Sequence, residues 1–166
     1  METFELLLGG FKVAFTYEHI LLALIGCFLG TIFGALPGLG PANGVAILIP
    51  ISFSLGLDAT ASMILLASVY YGAMYGGRIS SILINIPGDE PALMTTLDGY
   101  PMTLKGKAGE ALTITALASF VGAFISTIGL MLLAPQLVKV ALLFGPAEYF
   151  ALFAMAFATL GGVSSE

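Results

Sequence analysis

Between Glu18 and Asp58 the chain carries no formal charge, a run of 39 residues from His19 to Leu57. Drawn as one straight α-helix at about 1.5 Å per residue it would reach roughly 58 Å. The hydrocarbon core of a bilayer is only about 30 Å thick, so a single helix cannot account for the run. The break belongs at "PGLGP", residues 37–41, where Pro37 and Pro41 lack backbone donors and Gly38 and Gly40 relax the dihedral limits. A helix over 18–36 and a shorter one over 42–56 follow from this.

The rest of the composition agrees with a membrane setting. Hydrophobic residues make up 58% of the 166 positions and charged residues 9%, with a mean hydropathy of +1.05, far from an average soluble domain. The fold class expected is all-α, a polytopic membrane helix bundle with broken or re-entrant helices. The net charge of −5, from 10 acidic and 5 basic residues, lies near the ends of apolar runs and in one loop, and forms no patch for nucleic acid. Cys27 is the only cysteine, so no disulfide framework exists within the chain. Phe4, Leu7, Leu8 and Phe11 recur at helical spacing, so residues 2–15 read either as a short amphipathic helix at a membrane surface or as a frayed terminus. Glu2 and Glu5 stand where a secretory signal would be basic, and no cleaved leader is expected.

Ala59 to Gly77 offers 19 further uncharged residues, enough to span; Arg78 interrupts, and Ile79 to Gly88 is too short to cross alone. This second piece reads as a half-helix in preference to a continuation past a kink at Gly76 and Gly77. Residues 87–110 gather six charged residues and three prolines and are expected as the main extramembrane loop, with Asp98-Gly99-Tyr100-Pro101 as a turn. Lys105 and Lys107 favour the cytoplasmic side for it. Two more apolar runs follow, Ala111 to Ala134, ended by Pro135, and Tyr149 to Gly162. The whole of 1–166 reads as a single transmembrane domain, and its apolar last run is expected to be part of a longer protein.

Further patterns bear on packing and on function. "PGLGPA" at 37–42 and "PGDEPA" at 87–92 share P-G-x-x-P-A, each after an apolar segment, and secondary transporters are often built from repeats with broken helices in corresponding positions. Gly26, Gly30, Gly34 and Gly38 fall every four residues, and Gly72 with Gly76, Ala73 with Gly77, and Ala118, Gly122 and Ser126 repeat the device, which lets backbones approach closely. Irregular backbone at membrane depth survives only against protein or a water-filled cavity, so the first break either lines something or is a tight turn at the membrane surface. If it lines a cavity, the free N–H groups of the helix after it suit an anion, with the Asn43 amide as a further donor. Arg78, Ser80, Ser81 and Asn85 either face a pathway or snorkel and bond between helices. Nothing resembles an enzyme site: His19 is the only histidine, and no metal-ligand spacing is present.

Taken together and in order, "FGALPGLGPANG", "YYGAMYGG", "SSILINIPG", "TTLDGYPM" with "KGKAGEAL", and "LFGPAEYFAL" resemble the large membrane subunit of the tripartite tricarboxylate transporters. The resemblance covers about Gly26 to Phe153. It implies a multi-pass subunit of the cell inner membrane that takes up tricarboxylates or related carboxylates. The partners implied are a periplasmic solute-binding protein, a small membrane subunit and membrane lipid, with a sodium ion or proton as coupling ion. Carried over by position, the family's Pro-Gly-rich loop falls on Pro37, Gly38, Gly40 and Pro41 with Asn43 following, its tyrosine-glycine segment on Tyr71, Gly72, Tyr75, Gly76 and Gly77, and its Asn-Ile-Pro-Gly turn on Asn85 to Gly88. With the polar residues of the second segment, the candidate substrate- or ion-binding residues are Gly38, Gly40, Asn43, Arg78, Ser80, Ser81, Asn85 and Gly88. Arg78 departs from the family, which carries a small polar residue there. The family's subunit is also much longer than this chain, which the resemblance implies is its N-terminal part. The alternative from another class is a non-transporting membrane scaffold or assembly subunit, whose glycine ladders only pack helices and which needs no irregular backbone at membrane depth.

Overall fold

The computed structural model describes residues 2–163, and among them every regular element is an α-helix. The order is α1 (Glu2–Ala14), α2 (Tyr17–Ala35), α3 (Gly40–Ser54), α4 (Ala59–Ile84), α5 (Leu93–Leu104), α6 (Ala108–Ala141) and α7 (Pro146–Val163). The chain divides into two units, residues 1–119 and 120–166, with α6 running from the first into the second. Among the described residues two helices are long and apolar enough to cross a membrane, Tyr17–Ala35 and Ala108–Ala134 within α6.

The first unit is organised by α2 and α4. A Cβ built on Gly26 would lie 2.7 Å from the Leu65 carbonyl oxygen. One on Gly30 would meet the carbonyl of Val69, and one on Gly34 that of Ala73. From the other side Gly72 faces the Cys27 carbonyl and Gly76 that of Thr31. Residue numbers rise together along both helices, so α2 and α4 run parallel, with backbone against backbone along the small-residue stripe. Two parallel neighbours in sequence need a returning element between them, and α3 is that element. Its N-cap turn begins where α2 ends, and Gly56, at φ 68, turns the chain into α4. Asp58 caps α4 by accepting the Ala61 N–H at 2.8 Å. The buried apolar residues concentrate on α4, with Ala61, Leu65, Val69, Ala73 and Ile82 all within it.

Prolines alone do not set the breaks. Pro50 lies inside α3, Pro101 inside α5, and α6 continues past position 135 to Ala141. This corrects two expectations, the end of a helix at Pro135 and a turn at Asp98-Gly99-Tyr100-Pro101. A proline removes one donor and bends a helix. α2 ends at Ala35, with Leu36 extended directly before Pro37, whereas α4 ends at Asn85 in the left-handed region at φ 60. The segment 87–110 accordingly holds a helix, α5, set against the end of α4. Thr103 Oγ1 donates to the Ile82 carbonyl at 2.7 Å, and Gly99 lets Ile82 pack where a Cβ would stand 2.7 Å from its Cγ1.

A second correction concerns residues 79–88. No half-helix begins there, because α4 continues unbroken through Gly76, Gly77 and Arg78 to Ile84. The Gly-Gly pair accommodates neighbours, not a kink: Gly76 meets α2 and Gly77 meets the Asp89 side chain. Arg78 is half-buried and donates through Nη1 to Ser119 Oγ, which gives the guanidinium a partner inside the first unit.

Candidate functional site

The two P-G-x-x-P-A segments, fifty positions apart, are brought to one place. They line a cavity of about 340 Å³. Gly38, Leu39, Gly40, Pro41, Ala42 and Asn43 form one side, Gly88, Asp89, Glu90 and Pro91 another, and Tyr70 and Met74 of α4 complete the lining. The breaks come within van der Waals reach of each other, since a Cβ on Gly40 would lie 3.8 Å from the Gly88 carbonyl oxygen.

Local chemistry explains each side. On the first, Leu39 N–H donates to the Leu36 carbonyl at 3.2 Å, and the left-handed Gly38 and Gly40 swing the chain from α2 into α3. Pro41 sits in the first turn of α3, where a missing N–H costs nothing because that donor has no helical partner. Asn43 is exposed, and its Nδ2 reaches the Gly38 carbonyl only at 3.5 Å, so its amide is largely uncommitted. The start of α3, whose first N–H groups have no helical partner, and Asn43 thus both line the cavity, a combination of residues suited to a carboxylate.

On the second side, α4 ends at the left-handed Asn85, and the chain then folds back along α4 through Gly88. Gly88 is wedged between α2 and α4. A Cβ there would meet the Gly34 carbonyl and the Gly77 Cα. The Gly77 carbonyl receives the Gly88 N–H at 3.4 Å, Ser80 Oγ at 3.0 Å and Ser81 Oγ at 2.8 Å. Ser81 Oγ also lies 3.0 Å from the Ala92 carbonyl, as an alternative acceptor for its single proton. Ser80 thus bonds only within α4, and Ser81 alone has a partner beyond it, at Ala92.

Asp89 stands in the turn between α4 and α5, outside the helices. Its Oδ1 accepts the Ala92 N–H at 2.9 Å, which starts the turn into α5. Its Oδ2 is buried without a hydrogen-bond partner among the described residues. Burial pushes the Asp89 carboxyl above the ordinary carboxylate range; the Ala92 N–H and the Arg78 charge pull it back in part, and Glu90 adds to the rise.

Of the residues singled out from sequence, Gly38, Gly40, Asn43 and Gly88 line the cavity. Ser80 and Ser81 are buried on α4 and do not line it, Ser81 reaching the Ala92 carbonyl; Asn85 is the exposed left-handed cap of α4, and Arg78 points to α6. Tyr70, Met74, Asp89 and Glu90 line the cavity without having been singled out. The signal for the acids was present: they are the x-x of the second P-G-x-x-P-A, opposite Leu39 and Gly40 of the first.

The family model of the tripartite tricarboxylate transporter TctA family matches residues 20–166. The chain belongs to that family. Both breaks, and so the whole cavity lining, fall inside the matched region. An uncharacterized 52.8 kDa protein of Agrobacterium vitis, described as lying in the TAR-I ttuC′ 3′ region, is 45% identical over 146 residues, covering 88% of this chain and 29% of that protein. An uncharacterized protein of Methanocaldococcus jannaschii is 30% identical over 109 residues, covering 65% of this chain and 26% of that protein. The TctA-family chain thus spans under a third of the length of these curated relatives. No solved structure matches it. TctA is a family of membrane transporters and not of enzymes.

Proposed function

We propose that this TctA-family chain contributes part of the substrate and ion path of a multi-pass inner-membrane secondary transporter. In this reading the transporter takes up tricarboxylates or related carboxylates on a sodium or proton gradient. It works with a periplasmic solute-binding protein and a small membrane subunit. The observation that carries the proposal is the cavity of about 340 Å³ built jointly by the two broken segments. Breaks that only turned the chain at a surface would have no reason to meet, and a scaffold has no need of irregular backbone around a shared cavity.

The exposed apolar surface supports a membrane setting. Phe28, Phe53, Phe120 and Phe124 are each more than 60% exposed, a surface that water would disfavour and that lipid or neighbouring protein would cover. The substrate carboxylate is assigned to the start of α3, at Gly38, Gly40 and Asn43, and Gly88 closes the opposite wall. Arg78 and Ser81 act indirectly, by holding α4 to α6 and the start of α5 to α4, while Ser80 and Asn85 shape the end of α4.

The test is uptake of labelled citrate and related carboxylates by the complete complex in proteoliposomes, with sodium and proton gradients imposed separately. Asn43→Ala removes one neutral donor, a loss of about 1 kcal/mol, and is expected to raise the KM for uptake roughly fivefold with less effect on kcat. Unchanged kinetics for that variant would remove α3 from the substrate site.

A further inference from the structure

We infer that α1 is an interfacial helix, lying along the membrane surface with its apolar side about 5–10 Å into the boundary between headgroups and acyl chains. Its partner is the lipid bilayer itself, held by apolar contact and not by headgroup charge. The inference rests on the membrane setting of α2 and is independent of any substrate.

The helix Glu2–Ala14 has two unlike sides. At 3.6 residues per turn, Glu5, Gly9 and Lys12 share one stripe, bordered on one edge by Leu6 and Val13. Leu7, Leu8, Phe11 and Ala14 lie on the other side. Phe15 extends that side by a further position, since its N–H still donates to the Phe11 carbonyl at 3.0 Å and its ring stacks on that of Phe11. The apolar side is open among the described residues. Leu8 and Phe11 are half exposed and Phe15 is 71% exposed, and a Cβ on Gly10 would have nothing within 4 Å. Glu2 and Glu5 against Lys12 leave the segment without an excess of positive charge, so anionic headgroups do not attract it.

Continuity with α2 assigns this side to lipid. α2 is long and apolar enough to cross a membrane, and only Phe15 and Thr16 separate it from α1. Two extended residues reach about 7 Å, so α1 stays close to the surface at which α2 enters. On α2 the exposed Tyr17, Leu21, Leu24 and Phe28 lie on the side away from Gly26, Gly30 and Gly34, which pack on α4. Tyr17, at the very start of α2, is 80% exposed, and an amphipathic ring suits headgroup level. The joint is also built for that depth. Thr16 is extended, at φ −70 and ψ 150, so α1 does not continue into α2 as one helix. The Val13 carbonyl accepts from Thr16 N–H at 3.2 Å, Thr16 Oγ1 at 3.0 Å and His19 Nδ1 at 2.7 Å. A helix end leaves carbonyls that hydrocarbon cannot satisfy, and here the joint supplies donors to one of them.

The test uses the complete complex in proteoliposomes, its native cysteines replaced by alanine, Cys27 included, with one cysteine returned at a time and labelled with bimane. Leu8→Cys and Phe11→Cys report the apolar side, Glu5→Cys and Gly9→Cys the polar stripe. A phospholipid carrying a nitroxide near its headgroup is expected to quench the first pair at least roughly twofold more than the second. Aqueous iodide should show the reverse order, and both contrasts should be the same at low and high salt. Equal iodide quenching on both sides would overturn the inference, because α1 would then stand in water. Protection of Phe11→Cys from iodide without quenching by lipid would overturn it as well, because protein would then cover the face. Stronger quenching from a nitroxide deep in the acyl chain marks a helix inserted across the membrane, and a contrast lost at high salt marks attachment by headgroup charge; either refutes the assignment. All four positions are exposed, so each variant should keep the parent's thermal midpoint in detergent. Lys12→Cys and Ala14→Cys repeat the comparison if one does not. No readout involves a carboxylate, so each outcome bears on α1 and not on the proposed function.

Discussion

At the residue scale, two side chains carry more than their types suggest. Asn85 looked from sequence like a polar group facing a path, but it is the left-handed cap of α4, at φ 60 and exposed. Asn and Gly reach that region at little strain, and β-branched residues do so poorly. Asn85→Gly is therefore expected to leave stability within about 0.5 kcal/mol, and Asn85→Val to lower it by about 1–2 kcal/mol, read from the thermal midpoint in detergent. Uptake per folded complex should be unaltered in the glycine variant. Asp89 titrates with a stated sign. Because its pKa is raised on folding, the native carboxyl keeps its proton at pH values where the unfolded chain has lost it. Its contribution to stability is then fully present below the ordinary value of 3.8 and is lost as pH rises through the higher native value. Asp89→Asn should flatten that part of the midpoint-against-pH curve, and a curve unchanged by the substitution would contradict the assignment. Neither role could be read from residue type. An asparagine in the string "NIPG" and an aspartate in a polar loop gain their meaning from the dihedral angle and the buried oxygen.

At the element scale, the glycine ladder was readable as close packing, but the sequence did not say which ladders have a partner. Gly30 and Gly34 face the α4 backbone, whereas a Cβ on Gly122 would have nothing within 4 Å. A backbone carbonyl cannot yield as a flexible side chain can. Gly30→Ala or Gly34→Ala is thus expected to lower stability by about 1–3 kcal/mol, despite a gain of about 1 kcal/mol in helix propensity. Gly122→Ala in the 166-residue chain should be neutral or slightly stabilising. Thermal unfolding of the three variants tests the parallel pairing of α2 and α4, which an undiminished midpoint in Gly30→Ala would overturn. The expected half-helix at 79–88 failed for a related reason. Glycines and a charge suggest a break when only the strand of text is seen, but each is matched by a neighbour, α2 at Gly76, Asp89 at Gly77 and Ser119 at Arg78.

At the scale of the whole molecule, the chain presents much of its apolar surface outward, and the window of α6 that could cross a membrane has none of its residues buried. That surface needs lipid or neighbouring protein against it. The chain produced in cells is accordingly expected in the membrane fraction, resisting alkaline carbonate extraction; release into the soluble fraction would count against a multi-pass reading.

What the sequence determined by itself is local. A charge-free run too long for one bilayer crossing must break, and Gly38 and Gly40 supply the dihedral angles that permit it. The apolar composition then sets the kind of solvent the helices meet. What only the tertiary structure decided is non-local. It selected which glycines touch a backbone, and it let helices run through Pro50, Pro101 and position 135 while ending them at Asn85. It also carried residues 37–43 and 88–91 into one cavity. The physical reason is that a dihedral preference acts within a few residues, whereas the meeting of two breaks fifty positions apart depends on α2 and α4 lying parallel, and that follows from packing that no single segment contains.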